Sequence, residues 1–350
     1  MLLKNDIDRI FIMLGQQCNL SCDYCLQHDM IQEEIKVDNI NEDIFKFFEL
    51  NASNNKIDIT FYGGEPLLYY EALKYIAQKI RPHVNRMSVI TNGKRMTEDM
   101  VRFFNDMDMY IAISWDGKNT ILTRHYDAFK EKKELLLKIK KLGVNSVSSS
   151  MCYPLDYYEE ANNLAKEYAA VTKTNGLSIG NELLINTPTC KSYLAEIDYD
   201  KLERQMAEIC KRAQDELASG HYSFYANKFL STVDIYDETP EHALCGNPVY
   251  TLNIDLQGNL YECHNTWTMI GSIYDTEEEY MSKINDHTKE TYQKHCIDCK
   301  VKAICKGGCP VISWEEREKS NYCKYRRAYY GPFVDMLNKM VDNKFLYKEG

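Results

Sequence analysis

Three thiols stand close together near the start of the chain, in Cys18-Asn19-Leu20-Ser21-Cys22-Asp23-Tyr24-Cys25. Thiolates at this spacing can wrap one corner of a metal centre but leave a fourth position to something else. A zinc ion would need one more local ligand, and His28 stands three residues past Cys25. A cubane iron–sulfur cluster held by three thiolates would keep one iron open, and an open metal position is where chemistry occurs. Seven further cysteines crowd the C-terminal third: Cys245, Cys263, Cys296, Cys299, Cys305, Cys309 and Cys323. Cys296/Cys299 with Cys305/Cys309 would in isolation suit a zinc ribbon. Cys152, Cys190 and Cys210 are scattered and read as small buried hydrophobes.

Thirteen cysteines in 350 residues would imply a disulfide framework only in an oxidising compartment, and the N-terminus lacks the apolar segment of a secretory signal. The expected location is the cytoplasm, where clustered thiols bind metals. Hydrophobic content of 44% and charged content of 27% suit a globular chain with a sizeable core. A net charge of −10 argues against a general nucleic-acid or membrane-surface binder. No apolar run is long enough to span a membrane.

The elements that must hold these thiols are legible as alternation. Apolar, β-branched runs predict strands at 9–14, 57–62, 87–91, 110–114, 144–151 and 182–186. Amphipathic stretches predict helices at 38–50, 69–80, 97–105, 128–142, 155–171 and 198–219. Six alternations predict parallel strands with helical crossovers, either a doubly wound sheet or a full or partial barrel. In a parallel barrel the chemistry collects at the carboxyl ends of the strands. The first cysteine loop, Gly63-Gly64-Glu65-Pro66, Asn92-Gly93 and Ser114-Trp115-Asp116-Gly117 all follow strands. Beyond about residue 230 helical periodicity fades, a hairpin is predicted at 251–255 and 260–262 around Gln257-Gly258-Asn259, and a closing helix at 330–341.

With these residues together, the chain resembles the radical SAM superfamily, marked by a Cys-x3-Cys-x-aromatic-Cys loop after the first strand, with Tyr24 as the aromatic. The resemblance implies that Cys18, Cys22 and Cys25 hold a [4Fe-4S] cluster whose fourth iron binds S-adenosylmethionine (SAM). One electron would then cleave SAM to methionine and a 5′-deoxyadenosyl radical. Gly63, Gly64, Glu65 and Pro66 resemble the strand-two motif whose backbone pairs with the methionyl amino group, glycine permitting the close approach. Ser114 and Asp116 resemble a strand-four Ser-x-Asp-Gly in which the serine reaches the ribose. Asn92 and Arg124 are further cofactor candidates, although a solvated arginine at a helix start is the plainer reading of Arg124.

The seven C-terminal cysteines match the pattern of a SPASM domain. By that resemblance Cys296, Cys299, Cys305 and Cys323 hold an outer auxiliary [4Fe-4S] cluster, and Cys245, Cys263 and Cys309 an inner one with only three thiolates. Cys152 and Cys190 are outside candidates for the missing ligand. Sulfatase-maturing relatives carry another cysteine shortly after the first, but 246–252 contains none. Those relatives also place an aspartate after the inner-cluster cysteine, where this chain has His264, an imidazole that could take a proton, ligate iron or simply hydrogen-bond.

The resemblance thus implies an α/β fold: a partial (β/α)6 TIM-like barrel over 1–230, followed by a small cysteine-rich SPASM domain over 240–345 with a β-hairpin and short helices. It implies SAM and three [4Fe-4S] clusters as cofactors. The leading expectation is a maturase that forms an oxidative thioether or carbon–carbon cross-link within a ribosomally made peptide. Formylglycine formation on a sulfatase is the second expectation, and oxidation of a small molecule the third. A non-catalytic iron–sulfur or zinc module would have no use for the motifs at Gly63-Gly64 and Ser114/Asp116. Expected partners are a peptide or protein substrate and a flavodoxin- or ferredoxin-type electron donor. Because strand one begins near Arg9, a leader peptide would be recognised by a separate protein or by the barrel mouth.

Overall fold

The computed structural model describes residues 7–27, 39–51, 57–147, 154–173, 177–181, 196–220, 224–236, 251–266, 268–283, 292, 294–309 and 312–342. Its strands are β1 (Arg9–Met13), β2 (Asp58–Tyr62), β3 (Arg86–Thr91), β4 (Tyr110–Ser114), β5 (Leu142–Ser146), β6 (Ser178–Asn181), β7 (Thr251–Asp255), β8 (Asn259–Tyr261) and β9 (Met269–Ser272). They form one sheet in the order β6-β5-β4-β3-β2-β1-β7-β8-β9. The strands from β6 to β7 in that order are parallel, and β8 and β9 fold back antiparallel.

Between and after the strands lie α1 (Asp43–Asn51), α2 (Tyr70–Ile80), α3 (Glu98–Asp106), α4 (Thr120–Arg124), α5 (Ala128–Leu136), α6 (Pro154–Thr172), α7 (Tyr199–Ala218), α8 (Phe224–Val233), α9 (Glu277–Ser282), α10 (Lys302–Cys305), α11 (Trp314–Lys319) and α12 (Tyr322–Asp342). Side-chain caps fix several starts: Thr97 accepts from the Met100 amide, Asp127 from Phe129 and Lys130, and Asp198 from Lys201.

Strand alternation separates the barrel reading from a doubly wound sheet. Ile10, Ile12, Ile59, Phe61, Ile111 and Ile113 are buried on one face of the sheet. Their alternates Phe11, Thr60, Tyr62, Ser88 and Ser114 are only half-buried and mostly polar. A doubly wound sheet carries helices, and therefore apolar residues, on both faces. One apolar face and one half-open polar face is what a partial barrel with an accessible interior requires.

The predicted hairpin exists but is built into the barrel sheet. β7 pairs in parallel with β1, from Arg9↔Thr251 to Met13↔Asp255, so the sheet runs across the compositional change near residue 230. α12 packs along α7, and Phe333 of α12 stacks against Phe229 of α8 with ring centroids 6.1 Å apart. The helix predicted at 128–142 ends at Leu136, with a kink at Lys132, and strand five starts at Leu142. The sixth strand is Ser178–Asn181, while 182–186 lies outside the described residues. α4, α8 and β9 had no counterpart in the sequence reading, α9, α10 and α11 were expected only as unplaced short helices, and the closing helix starts at Tyr322 rather than near 330.

Candidate active site

The first cysteine loop leaves the carboxyl end of β1. Cys18 is exposed, Cys22 and Cys25 are half-buried, and the Cys25 amide donates to the Cys22 carbonyl at 3.0 Å. The three thiols lie close enough to oppose one another's ionisation. Burial, with this mutual repulsion added, pushes Cys18 up to about 12 and Cys22 up to about 11, although Arg124 pulls Cys22 the other way.

The Gly63-Gly64 turn holds this loop from below. The Gly64 amide donates to the Gly15 carbonyl at 2.9 Å, and the Glu65 amide to the Gln17 carbonyl at 2.9 Å. A Cβ on Gly64 would stand 2.3 Å from the Gln16 oxygen, and one on Gly63, whose φ is +143°, 2.3 Å from the Gly15 oxygen. The absent side chains therefore serve close approach of the chain to itself, at the place where the resemblance put the cofactor. Glu65 is buried and accepts from Thr91 Oγ1 at 2.6 Å and from the amides of Leu67 and Asn92 at 2.9 and 2.8 Å. Burial raises its carboxyl despite those bonds. Glu65 ties the end of β2 to the end of β3, and Pro66 opens the 3-10 turn Pro66–Tyr69. Asn92 donates to Asn19 Oδ1 at 2.8 Å and reaches within 4.0 Å of Cys18 Sγ.

The loop's outer side is locked by Asp116. Its Oδ2 accepts from Tyr24 OH at 2.7 Å, Thr123 Oγ1 at 2.8 Å and Arg124 Nε at 2.7 Å. Its Oδ1 accepts from Ser146 Oγ at 2.8 Å, and from Arg124 Nη2 and the Val147 amide at 3.3 Å each. Burial pushes the Asp116 carboxyl up, but the Arg124 charge and these donors outweigh it and leave it below its ordinary value. Arg124 is not the solvated arginine of the plainer reading: it is 7% exposed, ion-paired with Asp116 and set over the Tyr24 ring at 5.2 Å. Tyr24 and Asp116 are thus placed to hold the cysteine loop, whereas Ser114, half-buried at the end of β4, stays at the barrel interior.

A second thiol-bearing loop meets the first. Cys263 and His264 follow β8, and Gln27 Nε2, two residues past Cys25, donates to the His264 carbonyl at 2.8 Å. The Gln27 amide points at Cys25 Sγ at 3.4 Å and the Asn265 amide at Cys263 Sγ at 3.4 Å. The His264 ring stacks on Phe11 at 4.2 Å and meets Tyr62 edge-on at 4.7 Å. Its Nδ1 is shut from solvent without a partner, and burial, with Arg9 nearby, pushes the imidazole down to about 4. The described geometry packs the His264 ring against Phe11 and Tyr62.

The outer set assembles around α10, α11 and α12. Cys296, Cys299, Cys305 and Cys323 all bear on one another electrostatically, and burial pushes Cys296 up to about 12. Cys309 is buried, and its amide donates to Tyr322 OH at 2.7 Å. Cys245, Cys152, Cys190 and His28 lie outside the described residues. Cys210 is buried on α7, in keeping with a packing role. Among the described residues no three Cys, His, Asp or Glu converge tightly enough for a single metal ion. Four thiols within electrostatic reach of one another, as at Cys296, Cys299, Cys305 and Cys323, suit the one-thiolate-per-iron chemistry of a [4Fe-4S] cluster. Gln27 and the buried arginines Arg317 and Arg326 escaped the sequence reading. The available signal was their spacing of two to eight residues from a cysteine or its loop.

Residues 12–168 match the model of the Radical SAM superfamily. The chain is similar to the radical SAM cyclopropyl synthase TigE of Paramaledivibacter caminithermalis, 21% identical over 337 residues, covering 87% of this chain and 68% of that protein. It is 22% identical over 326 residues to a serine-type anaerobic sulfatase-maturating enzyme of Klebsiella aerogenes, covering 85% and 78%. The fold matches that of native anSMEcpe with bound AdoMet, with a TM-score of 0.66 at 18% identity over 95% of this chain and 99% of that one. It also matches Streptococcus suis SuiB bound to precursor peptide SuiA, with a TM-score of 0.55 at 14% identity over 88% and 72%. Thiol loop, strand-end motifs and relatives agree: the chain carries a radical SAM domain, homologous to anaerobic sulfatase-maturating enzymes and to TigE.

Proposed function

We propose that this radical SAM enzyme is a peptide maturase that forms an oxidative thioether or carbon–carbon cross-link in a ribosomally made substrate. The observation that carries the reading is the union of two thiol-bearing loops. β7 pairs with β1, and Gln27 bonds the Cys25 loop to the Cys263 loop. An oxidative cross-link needs a one-electron donor site and a one-electron acceptor site near each other, and the β1–β7 pairing and the Gln27–His264 bond support that reading.

Cys18, Cys22 and Cys25 would hold the SAM-binding [4Fe-4S] cluster, Cys296, Cys299, Cys305 and Cys323 the outer auxiliary cluster, and Cys263 and Cys309, with Cys245, the inner one. When bound, the first cluster and SAM supply abstraction of a carbon-bound hydrogen atom. The chain's own residues do the positioning. Asp116, Arg124 and Tyr24 fix the cysteine loop against β4, while Glu65 and the two glycines fix it against β2. Asn92 and Ser114, at the carboxyl ends of β3 and β4, would be further contacts for the cofactor.

Support for a peptide comes from the relatives. Solved structures of the same fold hold a Kp18Cys peptide and the precursor SuiA, and TigE is by name a cyclopropyl synthase. Formylglycine formation is the second reading, favoured by the similarity to sulfatase-maturating enzymes. Against it stands His264, its ring packed on Phe11, where the resemblance places an aspartate.

The test begins with anaerobic reconstitution, where about twelve irons and production of 5′-deoxyadenosine from SAM and dithionite are expected. The enzyme is then co-expressed with short cysteine-containing peptides encoded beside its gene. A peptide lighter by two hydrogens and unreactive to an aldehyde probe supports a cross-link. An aldehyde-reactive product on a sulfatase peptide would replace this reading with the second, and bound zinc without SAM cleavage would defeat both.

A further inference from the structure

A buried arginine away from carboxylates calls for another anion. Arg124 has its carboxylate in Asp116. Among the described residues Arg317 and Arg326, both buried, have none. Arg317, 2% exposed on α11, gives its guanidinium to the carbonyls of Ile312 at 2.9 Å, Cys309 at 2.5 Å and Gly307. Those dipoles hold the Cys305–Cys309 turn but leave the charge uncancelled. Arg326, 9% exposed on α12, gives one N–H to Tyr322 OH at 2.8 Å, and its Nε has no partner. Both guanidinium groups lie on the Tyr322 ring, at 5.3 and 5.0 Å, and Tyr322 OH accepts the Cys309 amide. Arg326 follows Cys323 by three residues on the same helix, so the two share a face.

Four thiolates around a [4Fe-4S] core carry two net negative charges when oxidised and three when reduced, and local charge is a main determinant of where such a couple lies. We propose that Arg317 and Arg326 are potential-setting residues. Their uncompensated charges favour the reduced state of the group held by Cys296, Cys299, Cys305 and Cys323. They raise its potential above that of the group held by Cys18, Cys22 and Cys25, where Asp116 cancels Arg124. The inference rests on the auxiliary-cluster part of the proposed function.

The test compares the full wild-type chain with Arg326→Gln and Arg326→Lys, each reconstituted anaerobically, counted for iron and titrated under EPR observation. At the wild-type midpoint of the outer signal, R326Q lowers the reduced-to-oxidised ratio about tenfold, about 59 mV for a one-electron couple. R326K keeps the wild-type value, and the signal that changes when SAM is added does not move in either variant. A fully loaded R326Q with an unshifted midpoint overturns the inference alone, as does an R326K shifted as far as R326Q. If R326Q sheds about four irons and R326K keeps them, charge compensation is again the cause. If both shed them equally, the arginine serves shape and the inference fails. A wild-type chain holding only about four irons refutes the auxiliary-cluster reading, and the inference falls with it.

Discussion

Replacing Asp116 by Asn tests how the cysteine loop is held. Asp116 accepts at least six hydrogen bonds, among them two from the buried Arg124 and one from Tyr24 inside the thiol loop. An amide keeps the shape, removes the charge and turns an NH2 group toward donors that need an acceptor. Breaking one side of a buried ion pair costs about 3–5 kcal/mol, because the other charge stays buried alone. Against a total stability of about 5–15 kcal/mol this is a large fraction. For a urea slope of about 3 kcal/mol/M, the midpoint of the metal-free chain falls by about 1–2 M. Since Tyr24 loses its anchor, iron bound after reconstitution falls as well. The carboxyl is held below its ordinary value, so its contribution is full at neutral pH and is lost as pH falls through the lowered pKa. The gap between wild type and D116N should therefore be constant near neutrality and shrink below about pH 4. The double variant D116N/R124M, which leaves no buried charge, should recover at least half of the loss. A D116N cost below about 1 kcal/mol, or a double variant no better than D116N, would refute the reasoning.

Gly64→Ala forces a Cβ against the Gln16 and Gln17 oxygens and should lower both the yield of folded chain and its iron content, read by gel filtration and iron assay. Gln27→Leu removes the bond between the two thiol loops; its EPR spectrum should differ from wild type while its urea midpoint changes by no more than about 1 kcal/mol in stability. Cys323→Ala should lower bound iron by about four atoms, whereas Cys210→Ala, on the packing face of α7, should leave the count unchanged. Burial holds the Glu65 carboxyl above its ordinary value, so the stability of wild type relative to Glu65→Gln should fall as pH rises from acid through the raised pKa, a trend followed by thermal unfolding.

Much of the site was readable in advance because its signals are local. Cys18, Cys22 and Cys25 declare themselves by spacing, and the strands before Gly63, Asn92 and Ser114 by an alternating period that burial confirms. What escaped was non-local or disguised. Gly143 lies within β5, where its missing side chain lets Ser178 of β6 approach, yet a glycine reads as a break. Gly331 and Pro332 inside α12 hid eight earlier helical residues that packing against α7 sustains. The partner of Arg124 could not be read because a helix-start arginine looks the same whether solvated or paired. Nothing in 251–255 announces that it pairs with 9–13, since parallel register leaves no sequence mark.

That last pairing bears on the order of assembly. β1 is an inner strand of the sheet, but one of its two neighbours is made some 240 residues later. During synthesis β1 can join β2 early, yet its other edge stays open until β7 emerges. Contacts of such high sequence separation form slowly, and an unpaired inner edge is prone to wrong pairing meanwhile. The Cys25 loop also lacks its Gln27–His264 tether until then. The first thiol site, though near the N-terminus, is therefore among the last parts of the fold to be completed, and iron delivery should follow docking of the hairpin rather than precede it.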